Sequence, residues 1–287
     1  MSRPVVRKSL VVAVVVVVVA AVAALLADVA TAIRSEHRLS VAIAESPRVP
    51  YDPEVTLAGF PFLTQAGDGR YSGVTIAAKG VELPGCEPQR GVCRAELGAT
   101  LGSFDGPEWG RFSGSDVLHT SSITAYTRLD AVTLARFMRI TDLTLSTPAP
   151  DGKAGGGGPQ DGVVSRSEGV VLTGTVALPP SDGLDPRNPP SASDYDGPKV
   201  KVSVAVDLSV TDGALRIRAT DFYTGPERHV AADVPAGMRA AVLERFSMTL
   251  PRLPMAWGVE PERAESFGGD IQLVGASGPA VVRPDEF

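Results

Sequence analysis

Side chains that could do chemistry are scarce in this sequence. The metal-ligating stock is His37, His119, His229, Cys86 and Cys93. Each histidine is distant in sequence from the cysteines, and a tetrahedral zinc site needs more ligands than that pair supplies. Cys86 and Cys93 enclose the hexapeptide EPQRGV. In an exported chain this spacing reads as a small disulfide loop, with free thiols or a metal as the alternatives. Asp116, His119, Ser121 and Ser122 include the side-chain types of a serine hydrolase. In a strand-like segment, however, alternate residues point to opposite faces, so the reading is a solvated strand face. Asp194, Tyr195, Asp196 and Gly197 resemble a fragment of a calcium loop without its remaining ligands, and read as a plain turn. The glycines at 155–158 are not followed by Lys-Ser or Lys-Thr, so they read as a linker and not as a phosphate cradle. Without a GxSxG elbow or an HExxH motif, the expectation is a carrier and not an enzyme, with no cofactor and no metal.

What the fold must position is therefore apolar surface. The chain has 287 residues, 44% hydrophobic and 21% charged, enough to bury a core and to exclude disorder over the whole length. That length suits one large domain or two small ones. A formal charge of −6 argues against a nucleic-acid partner, which would require clustered basic residues. Residues 10–27 (LVVAVVVVVVAAVAALLA) are 18 consecutive positions without a polar side chain. As a helix they fall a little short of a hydrocarbon core of about 30 Å, and flanking residues make up the deficit. Arg3, Arg7 and Lys8 precede the run and Asp28 follows it. The positive-inside rule then assigns 1–9 to the cytoplasm, 10–27 to a transmembrane anchor and 28–287 to an extracytoplasmic domain of a single-pass cell-membrane protein. Secretion after signal cleavage is the alternative, since small residues at 21–23 and 24–27 offer cleavage sites, although such an apolar region is usually about 7–15 residues long. The exported part has 24 basic and 33 acidic side chains, a net −9. An acidic domain is repelled by an anionic leaflet, so any lipid contact must come from apolar burial or from the anchor.

Beyond the anchor, residues 28–46 read as a continuing helix stopped by Pro47, Pro50 and Pro53. The period then changes to two, in 55–58, 74–77, 121–129, 169–178, 199–210, 214–219 and 270–274, so antiparallel β-structure dominates. Two amphipathic stretches interrupt it. One is 130–139, where Asp130 is placed to cap. The other is 235–248, with Met238, Val242, Leu243 and Phe246 on one face. The compositional segments 148–162 and 179–198 read as flexible connections. The expected fold is α+β, an antiparallel β-rich sheet or barrel-like tube wrapped against two or three helices, preceded by one transmembrane helix.

The informative segment is 55–73, VTLAGFPFLTQAGDGRYSG. Phe60, Phe62 and Leu63 surround Pro61, which cannot donate to a sheet ladder, so the strand is expected to kink or end there. The rings then form either a core corner or the mouth of an apolar cavity. The run GFPFLTQ at 59–65, followed by Gly69-Arg70-Tyr71 and the strand beginning Val74-Thr75-Ile76, resembles the LmeA-like phospholipid-binding family of actinobacterial envelope proteins. The late segment LPRLPM at 250–255 and Gly268-Gly269-Asp270-Ile271 are similar to that family's C-terminal pattern. The resemblance covers about residues 28–282; the two long connections and the Cys86 to Cys93 segment depart from it. It implies an exported or membrane-anchored protein whose partner is phospholipid or glycolipid, acting in envelope lipid homeostasis. The expected lipid-binding side chains are Phe60, Phe62 and Leu63, with Phe246, Met255 and Trp257. A structural envelope protein with a side-chain-filled core is the competing class, and a lipid hydrolase the third. No protein partner is read from the sequence.

Overall fold

The computed structural model describes residues 3–86, 91–147, 169–180, 185, 187–225 and 229–287, with side chains from Val11 onward. The expected connection at 148–162 lies outside the described residues, as do 87–90 of the Cys86 to Cys93 loop and 181–184 and 186 of the second connection. The chain divides into two compact units, one of 1–76, 100–123 and 278–287 and the other of 77–99 and 124–277.

In the first unit, α1 (Arg3–Ala44) is followed by β1 (Glu54–Leu57), α2 (Phe62–Asp68), β2 (Arg70–Tyr71) and the start of β3 (Val74–Glu82). The unit also holds β5 (Phe104–Asp105), β6 (Leu118–Thr120) and β15 (Ala280–Val282), which join β2 in a four-stranded sheet of order β15-β6-β5-β2. Every side chain from Val11 to Ala27 is exposed, and Asp28 is the first buried residue of the helix. From there a buried face recurs at Ser35, Leu39, Ala42, Ile43 and Ser46, the three-to-four spacing of a helix packed on one side. Polar contacts climb this face in order. Asp28 Oδ1 accepts from Leu63 N (2.7 Å), Glu36 Oε1 accepts from Leu57 N (2.9 Å), Ser40 Oγ donates to Pro53 O (2.7 Å), and Ser46 Oγ donates to Phe287 O (2.9 Å). The helix is thus bare before Asp28 and packed along one side after it.

The second unit contains β4 (Arg94–Leu101) up to Ala99, β7 (Ile123–Leu129) from Thr124, α3 (Ala131–Met138), β8 (Thr144–Ser146), β9 (Gly169–Ala177) and β10 (Lys199–Thr211). It continues with β11 (Ala214–Phe222), α4 (Arg239–Glu244), β12 (Met248–Thr249), β13 (Arg263–Phe267) and β14 (Asp270–Ser277). One sheet has the order β12-β11-β10-β9-β8, and another the order β1-β3-β4-β7-β14-β13. The register pairs Val204 with Leu172 and with Phe222. Along β10, Val202, Ser203 and Val204 are all buried, and from Val204 onward buried Val204, Val206 and Leu208 alternate with half-buried Ala205 and exposed Asp207 and Ser209. That is the alternation of a strand with one face on a core. Asp130 caps α3 as expected, its Oδ1 accepting from Thr133 N at 2.7 Å. Cys86 and Cys93 are disulfide-bonded, with Cα atoms 5.8 Å apart.

The fold is α+β, antiparallel and β-rich, and of the two expected forms the described strands build open sheets. One local expectation is corrected. The expected helix at 235–248 is a 3-10 turn, Ala236–Met238, and the six-residue α4. It stops early because Ser247 Oγ bonds back to Leu243 O and the chain pairs as β12 with Arg216 and Ile217. Of the two outcomes expected around Pro61, a kink or an end, the strand ends: β1 stops at Leu57 and Phe62 opens a helix with Pro61 at its N-cap.

Candidate functional site

Each polar residue of the 59–73 motif has a local task. Gly59 has φ +100°, and a Cβ there would meet the Gln65 side chain at 2.5 Å. Gln65 Oε1 accepts from Ser72 N at 2.8 Å, tying the first turn of α2 to the strand that follows. Gly69 ends α2 in the left-handed region, where a Cβ would lie 2.8 Å from Gly106 O. Its own carbonyl accepts from Gly106 N at 2.9 Å. Gly106 thereby leads into the turn Pro107 to Gly110, which Tyr71 holds from inside.

The Tyr71 ring is buried, stacked on Phe104 with centroids 4.9 Å apart and flanked by Phe112 at 5.3 Å and Phe62 at 6.0 Å. Its hydroxyl donates to Pro107 O (2.7 Å) and accepts from Gly110 N (3.1 Å). Burial pushes the Tyr71 phenol above its ordinary value, and the Gly110 amide opposes that shift. The turn it holds contains Trp109 and Gly110 with φ of 60° and 59°. Gly110 is required by closeness as well, because a Cβ would fall 1.9 Å from Ser35 Oγ of α1. The Trp109 ring lies over Gly67 of α2, the nearest ring atom 3.7 Å from where a Cβ would be, and the residue is 50% exposed.

The expected lipid-binding residues separate into the two units. In the first, Phe62 is buried in the aromatic cluster, Leu63 is half-buried beside Asp28, and Phe60 is 71% exposed. In the second, Phe246 is fully buried, 3.6 Å from the Cβ position of Gly174, which Ile140 and Leu143 also approach. Met255 is buried, with its Sδ 3.3 Å from Thr127 Oγ1, and Thr127 also donates to Pro254 O. Trp257 is half-buried with φ 49°, followed by Gly258 at 66°, the same left-handed Trp-Gly turn as Trp109 and Gly110. Trp109 was not among the expected residues. The repeated Trp-Gly dipeptide was the signal that could have found it.

The remaining polar groupings pair internally. A cleft of ≈ 230 Å³ in the second unit is lined by Lys79, Arg94, Glu96, Arg128, Asp130 and Asp270. Arg128 bridges to Glu96 at 3.1 Å and lies 4.3 Å from the Phe267 ring centroid, while Tyr126 donates to Glu96 at 2.7 Å. Burial raises the Asp270 carboxyl above its usual range, against the pull of Arg128. In the first unit, Asp116 Oδ2 accepts from Ser113 N, Ser103 Oγ donates to Ser121 Oγ, and His119 is exposed on β6 opposite Asp105 and Val281. Those bonds do not assemble a nucleophile and base. Among the described residues no group of three His, Cys, Asp or Glu side chains could hold a metal ion.

The architecture is thus that of an α+β protein with a bare apolar helix long enough to cross a membrane and an aromatic segment docked where that helix becomes packed. The chain matches the LmeA-like phospholipid-binding family over residues 26–276, and it belongs to that family. The match begins at the end of the bare helix and covers both units. No curated protein and no solved structure matches the chain.

Proposed function

We propose that α1 holds this protein in the cell membrane with residues 28–287 on the extracytoplasmic side, where it binds phospholipid or a related glycolipid and transfers it in envelope lipid homeostasis. The observation that carries this reading is the family match across 26–276. The bare helix supports the membrane placement, and the acidic charge favours apolar over electrostatic capture of lipid. Within the expected residue set, Phe60 and Leu63 of the first unit and Trp257 of the second retain surface that an acyl chain can cover, while Phe62, Phe246 and Met255 are buried in their own units. Each methylene moved out of water contributes about 0.8 kcal/mol, so two acyl chains suffice for tight binding without any charged contact.

Native mass spectrometry of the full chain, released from a non-ionic detergent micelle, tests this. The expected spectrum has phospholipid or glycolipid adducts at fixed stoichiometry that survive removal of the detergent. A bare chain under conditions that preserve fold refutes lipid binding and leaves a structural envelope protein with a filled core.

A further inference from the structure

The helix supplies a ruler for the membrane. Residues 10–27 span about 27 Å at 1.5 Å per residue, against a hydrocarbon core of about 30 Å. With the basic residues Arg7 and Lys8 bounding the run on one side, the far edge of the hydrocarbon falls at Asp28 or within one turn beyond it. Val29 and Ile33, on the unpacked side of α1, are 53% and 59% exposed and extend the apolar surface to that depth. Asp28 is also the residue that receives the Leu63 amide, so the N-terminus of α2 is fixed at the same level. Phe60 lies three residues before Leu63, with Pro61 between Phe60 and the helix, and its ring is 71% exposed. Leu63 and Gly67 share one face of α2, a turn apart, and the half-exposed Trp109 covers Gly67. Phe60 and Leu63 thus flank the start of α2 at the level of Asp28, and Trp109 covers the next turn of α2 with its neighbour Gly110 against Ser35 of α1, the composition of an interfacial aromatic belt at the end of a bare apolar span. Arg34 is exposed about 9 Å further along α1, within side-chain reach of lipid phosphates.

We propose that Phe60, Leu63 and Trp109 form a foot that inserts into the outer face of the bilayer beside α1, so that the first unit stands on the membrane at a fixed depth instead of being tethered away from it. The occupant of this apolar surface is bilayer lipid. The inference rests on α1 being a retained anchor, as proposed above, but not on ligand binding.

The test uses the full chain reconstituted in phosphatidylcholine vesicles, with Trp109→Phe and Trp257→Phe removing both native indoles. A single new indole is placed by Phe60→Trp at the foot, or by Tyr51→Trp as a control. Tyr51 is 63% exposed and two residues from Pro53, whose carbonyl is held by Ser40. That contact is about 18 Å along α1 from Asp28, beyond a headgroup layer of roughly 7 Å. Both replacements put an aromatic ring for an aromatic ring at an exposed site, so folding is preserved. With phosphatidylcholine brominated near the top of its acyl chains, the indole at 60 is expected to lose at least about half its emission, more than with deep bromines, because interfacial rings sit at headgroup level. The indole at 51 is expected to stay unquenched. Equal, absent or deep-only quenching at 60 overturns the foot. Quenching that survives cyclodextrin exchange of brominated for plain lipid reports a ligand held inside the protein, and overturns it as well. Lipid adducts without quenching leave the proposed function standing and the foot refuted. Quenching without adducts does the reverse.

Discussion

Replacing Tyr71 by Phe isolates what one hydroxyl does for the aromatic cluster. The ring keeps its contacts with Phe62, Phe104 and Phe112, so apolar packing is unchanged. Two bonds are lost, the donation to Pro107 O at 2.7 Å and the acceptance from Gly110 N at 3.1 Å. A buried hydrogen bond contributes about 0.5–1.5 kcal/mol net, and a donor left without a partner costs toward the upper end, so the expected loss is about 2 kcal/mol. With a urea slope of about 2 kcal/mol per molar, the midpoint moves down by about 1 M. The assay is equilibrium urea unfolding in detergent micelles, followed by the Trp109 indole after Trp257→Phe, since the chain has two tryptophans. That indole sits in the turn the hydroxyl holds, so the native baseline should shift to longer wavelength even before unfolding. The pH dependence adds a second check. The folded phenol value is raised above the ordinary 10.0, so its stabilisation is fully present below about pH 10 and is lost as pH rises through the folded value. The variant has no such group, and the gap between the two proteins should narrow at alkaline pH. A midpoint shift below about 0.3 M, with an unchanged indole spectrum, would refute the assignment of Tyr71 as the clamp on this turn.

Asp142 joins β9 to β10 through Thr175 N (2.8 Å), Thr175 Oγ1 (2.7 Å) and Lys201 Nζ (3.2 Å). Burial alone would raise its carboxyl, but the two Thr175 bonds and Lys201 outweigh it, and the group is held below its ordinary value. Asp142→Asn should therefore cost about 2 kcal/mol at neutral pH. This difference is present above the unfolded carboxylate value and disappears as pH falls through the folded one, which thermal melts between pH 7 and 3 would show. Phe246→Ala, at a fully buried position against Gly174, should lower stability by about 3–5 kcal/mol in urea titration, and a loss under 1 kcal/mol would contradict its packing. Gly110→Ala places a Cβ 1.9 Å from Ser35 Oγ at φ +59°; it should destabilise by more than 2 kcal/mol, whereas Ala at the open Gly237 should stay within about 1 kcal/mol. Maleimide should label Cys86 and Cys93 in the denatured chain only after reduction, given their pairing.

Local periodicity made much of the fold readable. The continuous α1, the Asp130 cap and strands β7, β9, β10, β11 and β14 follow from apolar spacing and one capping carboxylate, because those signals lie within a few residues of each other. Strand β4 was missed: Gly98 interrupts its pattern, and the reason for that glycine is distant, since a Cβ there would lie 2.1 Å from the Tyr126 ring on the neighbouring strand. The short strands β2, β5, β6 and β15 are two or three residues long, too short to carry a period of their own. The site was legible as composition and not as geometry. GFPFLTQ stood out through its proline and rings, yet which ring faces outward depends on Asp28 receiving the Leu63 amide from 35 residues away. Trp109 was hidden for the same reason, as its exposure follows from Gly110 meeting Ser35 of α1.

On the placement proposed for α1, Asp28 couples the membrane to the fold. A carboxylate at the edge of hydrocarbon is costly unless a donor meets it, and the donor here is the backbone of α2. In the unfolded first unit that partner is missing, so Asp28 must retreat into water and draw the end of the helix outward. When α2 docks, the acid is satisfied and buried at 5% exposure, and the span can settle with Val29 at the hydrocarbon edge. On that placement docking and insertion depth favour each other, and the hydrogen bond that ties α2 to α1 would also set how deep Phe60 is carried. Glu36 and Ser40 on α1, and Ser46 just beyond its end, each hold a different segment of the first unit along the next 18 residues. A tether would need none of these contacts.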